Sequence, residues 1–211
     1  MMTWLGGGVA CSFLIGSIPT GYLVGKAKGV DVRQHGSGNI GATNVGRILG
    51  RGWGALVLAL DILKGVAGVL CVDWIVARVS AGALDAIDWR GIAFGSGAVL
   101  GHNFCPWLGW RGGKGIATTG GVLLAALPAA FLVAFATWVV LFGVSRIVSL
   151  ASVVAALALG VAGMLRYGPG VLGWACVMLA VLAVVRHRAN LVRLFQGEEP
   201  KAFQKKKEDN A

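Results

Sequence analysis

Residues 111–145 read RGGKGIATTGGVLLAALPAAFLVAFATWVVLFGVS, a short basic, glycine-rich stretch followed by an uncharged run over 116–145. That run is longer than one helical crossing needs. At ~1.5 Å per residue it is also too short for two full crossings of a ~30 Å hydrocarbon core. Other apolar runs lie at 4–25, 53–76, 92–109, 147–166 and 170–186, the last two separated by Gly168-Pro169-Gly170. Three basic segments, Lys26–Arg51, Arg111–Lys114 and Arg186–Lys207, belong on the cytoplasmic side by the positive-inside rule. If 147–166 and 170–186 both cross, then 116–145 must enter the membrane and return. Pro128 sits where a turn between two short helices belongs. The expected fold is therefore all-α: a polytopic membrane bundle of about seven segments, each near the length a bilayer demands except a shortened fourth and fifth. Its N-terminus is outside and its C-terminus cytoplasmic. A five-span arrangement, with one segment lying in the interface, is the alternative.

Composition agrees. Hydrophobic residues make up 56% of the 211-residue chain, charged ones only 13%, and the mean hydropathy is +0.76. A soluble domain carries about 25% charged residues. Apolar runs continue to about residue 185, leaving no space for a separate soluble domain. Residues 1–197 read as one membrane-embedded unit and 198–211 as a polar, solvated, mobile tail. Glycine, 34 residues in all, lets helices approach closely where lipid supplies no net drive for association. The net charge of +10 does not point to nucleic acid, because the basic residues alternate with spans and sort by side, Arg166 excepted. The outer connection 77–90 sets Asp85 and Asp88 against Arg78 and Arg90, with no basic excess.

Cys11, Cys71, Cys105 and Cys176 stand singly in or beside apolar runs. They read as buried small hydrophobes, with no disulfide framework and no metal spacing. The first apolar run is followed, not preceded, by Lys26 and Lys28, as for an uncleaved helix with its N-terminus outside.

Four polar segments could carry chemistry. The first runs from Gln34 to Arg47 and holds Ser37, Gly38, Asn39, Thr43, Asn44 and Arg47. Its glycines allow consecutive N–H groups to face an anion, its neutral side chains add donors, and Arg47 offers a planar fork suited to phosphate. The second joins Gly101-His102-Asn103-Phe104 to Gly112-Gly113-Lys114-Gly115, which opens directly into an apolar run. A lysine, free amides and a helix N-terminus then meet at one place. With Leu108 and Gly115 in the diagnostic positions it is not a Walker A loop, which argues against nucleotide hydrolysis. The third contains Ser149 and Ser152, one helical turn apart. The fourth, Arg186 to Arg193, brings His187, Asn190 and Arg193 to successive turns at the end of the last span. Asp61 and Lys64, inside the second run, are read as a structural pair at i, i+3. His35 and His102 are read as a solvated loop residue and an interhelical hydrogen-bonding residue.

These segments, in this order and setting, resemble the PlsY family of acyl-phosphate:glycerol-3-phosphate acyltransferases. The resemblance rests on Ser37-Gly38-Asn39 with Gly41 to Asn44 and Arg47, on Gly101 to Phe104 with Gly112 to Gly115, and on Arg186-His187-Arg188 with Asn190 and Arg193. Asp61 to Gly65 and the Ser149/Ser152 segment also look like family features, and Cys105 is a local departure. The resemblance implies transfer of a fatty acyl group from acyl phosphate to the sn-1 hydroxyl of glycerol 3-phosphate. The products would be lysophosphatidate and phosphate, made in the first membrane step of bacterial phospholipid synthesis. It also implies a location in the cytoplasmic (inner) membrane with the site on its cytoplasmic face. The donor would come from a soluble enzyme, PlsX, and no cofactor or metal is expected. Ser37 and Arg47 would be required, Lys114 with Gly112, Gly113 and Gly115 would bind glycerol 3-phosphate, and His187 and Asn190 would line the site with Ser149 or Ser152.

Both substrates carry phosphate, so the chemistry needs cations and aligned donors; Arg47, Lys114 and His187 are expected to supply charge. Either the substrate phosphate or His187, with an ordinary imidazole pKa of ~6.5, would take the hydroxyl proton. The His-x4-Asp acyltransferase mechanism is excluded, because Ile40, Trp107 and Val192 stand five residues beyond the three histidines. A phosphate transporter would need an internal repeat and a midplane site, and neither is legible.

Overall fold

A computed structural model describes residues 2–79 and 88–202. Asp85 of the outer connection and residues 203–211 of the tail lie outside them. Ten α-helices follow one another among the described residues: α1 (Met2–Ser17), α2 (Thr20–Ala27), α3 (Ala42–Leu49), α4 (Arg51–Val79), α5 (Asp88–Asn103), α6 (Ile116–Ala126), α7 (Pro128–Ser145), α8 (Val148–Tyr167), α9 (Val171–Arg186) and α10 (Arg188–Phe195). No strand occurs among them.

The run over 116–145 does divide at Pro128, but unequally. α6 has 11 residues and α7 has 18. At ~1.5 Å per residue α6 reaches only about halfway across a hydrocarbon core, whereas α7 nearly spans it. Pro128 starts α7, where its missing N–H costs nothing, and leaves Leu127 non-helical. The expectation of two shortened segments holds for α6 alone.

Among the described residues, four stretches are long and apolar enough to cross a membrane: Trp4–Ala27, Arg51–Arg78, Pro128–Ser145 and Val148–Tyr167. α9 and α10 add a fifth if their 60° bend lies within one span. Length and apolarity thus mark four or five of the expected segments.

Two further expectations shift. The first span is broken at Ile18-Pro19, since proline cannot donate and its ring clashes with a continuing turn. The third ends at Asn103 instead of 109, because Pro106 opens a separate short turn over Pro106–Leu108.

Packing places α1 against α5, α4 against α6, and α8 against both α7 and α9. The α4–α6 seam depends on absent side chains. A Cβ on Gly65 would strike the Thr118 backbone, and one on Gly121 would strike the Ile62 backbone. α6 is thereby pressed onto α4, which sets where its N-terminus, and Lys114 before it, stands.

The outer faces require an apolar solvent. Leu63, Leu132, Val144 and Leu165 are all more than half exposed, and along α7 Ala130 alone is buried. In water such a surface would drive aggregation; in lipid it is at rest. Tryptophans sit near helix ends, Trp53 under Lys28 at 4.2 Å and Trp74 under the Arg78 guanidinium at 4.8 Å. Amphipathic rings with cations beside them suit the headgroup layer.

Candidate active site

The first loop is shaped from within. Asp31 caps the short turn Val32–Gln34, accepting from the Arg33 amide, and pairs with the Arg33 guanidinium at 2.7 Å. Hydrogen bonding to Arg33 holds the Asp31 carboxyl at about 2. Asn44 then staples the loop. Its Oδ1 accepts from the Ser37 amide at 2.9 Å, and its Nδ2 donates to the Val32 and His35 carbonyls at 3.0 and 3.1 Å. Both ends of that buried amide are therefore engaged by the loop itself, which makes Asn44 an organiser of the segment instead of a ligand in this state. Ser37, Gly38 and Thr43 remain exposed, Asn39 is half-buried, and Arg47 projects from the last turn of α3.

The glycine-lysine loop returns onto the end of α5. The Gly112 and Gly113 amides donate to the Asn103 and His102 carbonyls at 3.2 and 3.0 Å. A Cβ at Gly113 would collide with the His102 ring, and Gly115 lies at φ 80°, a left-handed conformation that favours glycine. α6 begins at the next residue, Ile116. Lys114 is thus delivered at a helix N-terminus, half-buried, with Nζ donating to Asn190 Oδ1. Burial, assisted by Arg193, Arg47 and Arg186 and opposed by Glu199, lowers its pKa to about 8.

The chain bends by 60° at His187, between α9 and α10. His187 Nδ1 donates to the Ala183 carbonyl at 2.7 Å, leaving Nε2 as the acceptor nitrogen. Burial, then the nearby Lys114, pushes its pKa to about 4. An imidazolium there would be both desolvated and repelled, so burial and the Lys114 ammonium favour the neutral ring over the charge expected from the sequence.

After α10, Gly197 at φ 74° turns the chain back, and Glu199 enters the space between α8 and α10. Its carboxylate accepts from Ser149 Oγ at 2.8 Å, Asn190 Nδ2 at 2.6 Å and Arg193 Nε at 2.8 Å. Burial alone would raise its pKa, but those bonds together hold it below the ordinary glutamate value. Arg47 reaches the neighbouring Pro200 carbonyl at 3.4 Å. The first residues of the expected solvated tail are thus packed into the bundle; Glu199 is only 8% exposed. The reason is electrostatic: this acidic side chain lies among Arg47, Lys114 and Arg193.

Arg47, Lys114, Ser149, His187 and Asn190, drawn from four segments of the sequence, are thereby brought together. The hydrogen bonds that join them do not reach Ser37. Ser152 is held elsewhere, donating to the Val148 carbonyl and accepting from Trp138 Nε1 at 3.2 Å. Sequence reasoning overlooked Glu199 and the use made of Arg186, whose guanidinium donates to the Gly112 and Gly113 carbonyls. A usable signal existed for the first: a turn glycine, Gly197, directly followed by acidic residues after a basic helix.

A family model described as glycerol-3-phosphate acyltransferase matches residues 7–197. The glycerol-3-phosphate acyltransferase of Gloeobacter violaceus is 46% identical over 200 residues, covering 91% of this chain and 92% of its own length. That of Desulforudis audaxviator is 41% identical over 196 residues, with 90% and 92% covered. The crystal structure of PlsY (YgiH), an integral membrane glycerol 3-phosphate acyltransferase, in its glycerol 3-phosphate form is similar with a TM-score of 0.81 at 36% identity, covering 93% of this chain and 94% of that one. The lysophosphatidic acid form of that protein gives a TM-score of 0.78.

Proposed function

Because the chain belongs to the glycerol-3-phosphate acyltransferase family, of the PlsY type, we propose that it transfers a fatty acyl group from acyl phosphate to the sn-1 hydroxyl of glycerol 3-phosphate. The products are lysophosphatidate and inorganic phosphate. The site lies at the cytoplasmic face of a bacterial inner membrane, and the soluble enzyme PlsX supplies the donor.

The observation that carries this reading is a charge imbalance. Arg47, Lys114 and Arg193 surround a single carboxylate, Glu199, among the described residues. A surplus of partly desolvated cations is stabilised by anions, and this reaction brings two phosphates together. Lys114, delivered to the N-terminus of α6 by the glycine loop, holds the glycerol 3-phosphate phosphate. Arg47 and the Ser37 segment face the acyl phosphate.

The hydroxyl oxygen attacks the carbonyl carbon, the bond from that carbon to the phosphate oxygen breaks, and phosphate departs with the hydroxyl proton. Donors already in position stabilise the oxyanion, each contributing about 3–4 kcal/mol in comparable acyl transfers. With a pKa of about 4, His187 is a weak base at neutral pH, which favours the substrate phosphate as proton acceptor. His187 Nε2 and Asn190 then orient the substrates. The acyl chain enters laterally from the bilayer and lies between helices, against their apolar outer faces.

The test is direct. Purified protein in detergent, given acyl phosphate and labelled glycerol 3-phosphate, makes labelled lysophosphatidate, whereas acyl-CoA or acyl-carrier protein as donor gives none. Turnover with either thioester at a comparable rate would overturn the assignment of the donor.

A further inference from the structure

Arg186 occupies the last turn of α9, yet its guanidinium is committed to the glycine-lysine loop. Nε donates to the Gly113 carbonyl at 3.0 Å, and Nη2 donates to the Gly112 and Gly113 carbonyls at 3.0 and 2.7 Å. Its Cζ lies 5.6 Å from the centre of the Phe104 ring, so the side chain also stacks on the segment that leads into the loop. The amides of the same two glycines are already taken by the end of α5. The peptide groups before Lys114 are therefore held from two sides, by α5 through their N–H groups and by α9 through their oxygens.

We propose that Arg186 is a positioning residue for the glycerol 3-phosphate subsite, acting through the loop and not on the substrate. The inference rests on the reading that Lys114, presented by the glycine loop, holds that phosphate. Two consecutive carbonyl dipoles beside an anion site would repel it and compete for the Lys114 ammonium. Arg186 binds both oxygens, which leaves the lysine and the α6 N-terminus free to face the phosphate. Arg186 also links the halves of the site, because the bend that follows it presents His187 and Asn190, and Asn190 meets Lys114. A planar fork matches two neighbouring carbonyls in one fixed geometry, whereas the three donors of an ammonium spread tetrahedrally from a single point.

In purified protein, Arg186→Gln raises KM for glycerol 3-phosphate about 10- to 100-fold, the size expected for losing charge-assisted hydrogen bonds. KM for acyl phosphate and kcat change little. Arg186→Lys falls between parent and Gln. Guanidinium ion added to Arg186→Ala lowers KM for glycerol 3-phosphate, while ammonium ion at equal concentration does not. An unchanged KM for glycerol 3-phosphate overturns the proposal. So does a loss spread equally over both KM values and kcat without guanidinium rescue, which describes a general strut. If Arg186→Gln does not fold, Arg186→Lys carries the same comparison. Lys114→Ala, measured alongside, separates the two readings. If it leaves KM for glycerol 3-phosphate unmoved, the phosphate assignment itself is wrong; if it raises KM and Arg186 variants do not, only the role of Arg186 fails.

Discussion

Two polar clusters of similar ingredients occupy this bundle, and they are built to opposite ends. One surrounds Asp61 within α4. Its Oδ1 accepts from Thr20 Oγ1 and from Lys64 Nζ at 2.9 Å, and Lys64 also donates to the Ile18 carbonyl at the α1–α2 break. All of these side chains are buried, and one carboxylate meets one lysine. The other surrounds Glu199, where the same kind of carboxylate meets several cations, Arg47 from the last turn of α3 and Lys114 from the loop before α6 among them. The first cluster is charge-balanced: it pins a proline-broken helix to its neighbour, with the buried His102 ring 3.7 Å from Asp61, and has no surplus cation for a ligand. The second has positive charge to spare. Burial of polar groups therefore does not distinguish structure from function in this molecule; charge balance does.

That contrast can be broken by mutation. The largest effect is expected at Asp61. Asp61→Ala leaves Lys64 buried without its partner and lowers stability by about 3–5 kcal/mol, read as detergent-phase thermal unfolding. Replacing both members, Asp61→Leu with Lys64→Met, restores most of that loss. A stable but inactive Asp61→Ala protein would mean that the closed cluster touches the reaction.

Next comes Arg47→Ala, which lowers kcat/KM about 10²- to 10³-fold, roughly 3–4 kcal/mol, with the unfolding temperature unmoved. A large loss of stability instead would place Arg47 with the structural group. The third test is pH. Lys114 loses its proton as pH rises through about 8, so kcat/KM for glycerol 3-phosphate falls on the alkaline side of that value. The slope approaches about tenfold per pH unit, and Lys114→Arg moves the limb upward because guanidinium stays protonated. A profile flat to pH 10 would remove the ammonium from the site. The smallest effect belongs to Ser152→Ala. Losing its bonds to Val148 and Trp138 costs about 1 kcal/mol of stability and leaves turnover intact. A tenfold fall in turnover would return Ser152 to the active cluster.

Much of the architecture was legible residue by residue. Pro128 divides the longest apolar run because a missing N–H and a ring clash are local facts. Lys114 stands before a helix because Gly115 supplies the left-handed cap position and the apolar run follows at once. Asp61 and Lys64 could be paired from their spacing alone, since i, i+3 neighbours share a helix face. The partners of Asn44 were not legible, for an equally physical reason. An amide side chain suits a substrate or a loop carbonyl alike, and only the folded loop shows that Val32, His35 and Ser37 had already engaged it.

What the chain determined by itself is its solvent and its segmentation: long apolar runs demand lipid, prolines and glycines break them, and basic residues collect at their ends. Those outcomes depend on backbone sterics and transfer free energies that act within a few residues. Which ends meet was decided only in three dimensions. Glu199 lies between Ser149 and Arg193, and Arg186 holds carbonyls that are 73 and 74 positions away in the chain. Hydrogen-bond and charge complementarity have no sequence period; they exist only once packed helices have brought the partners within reach.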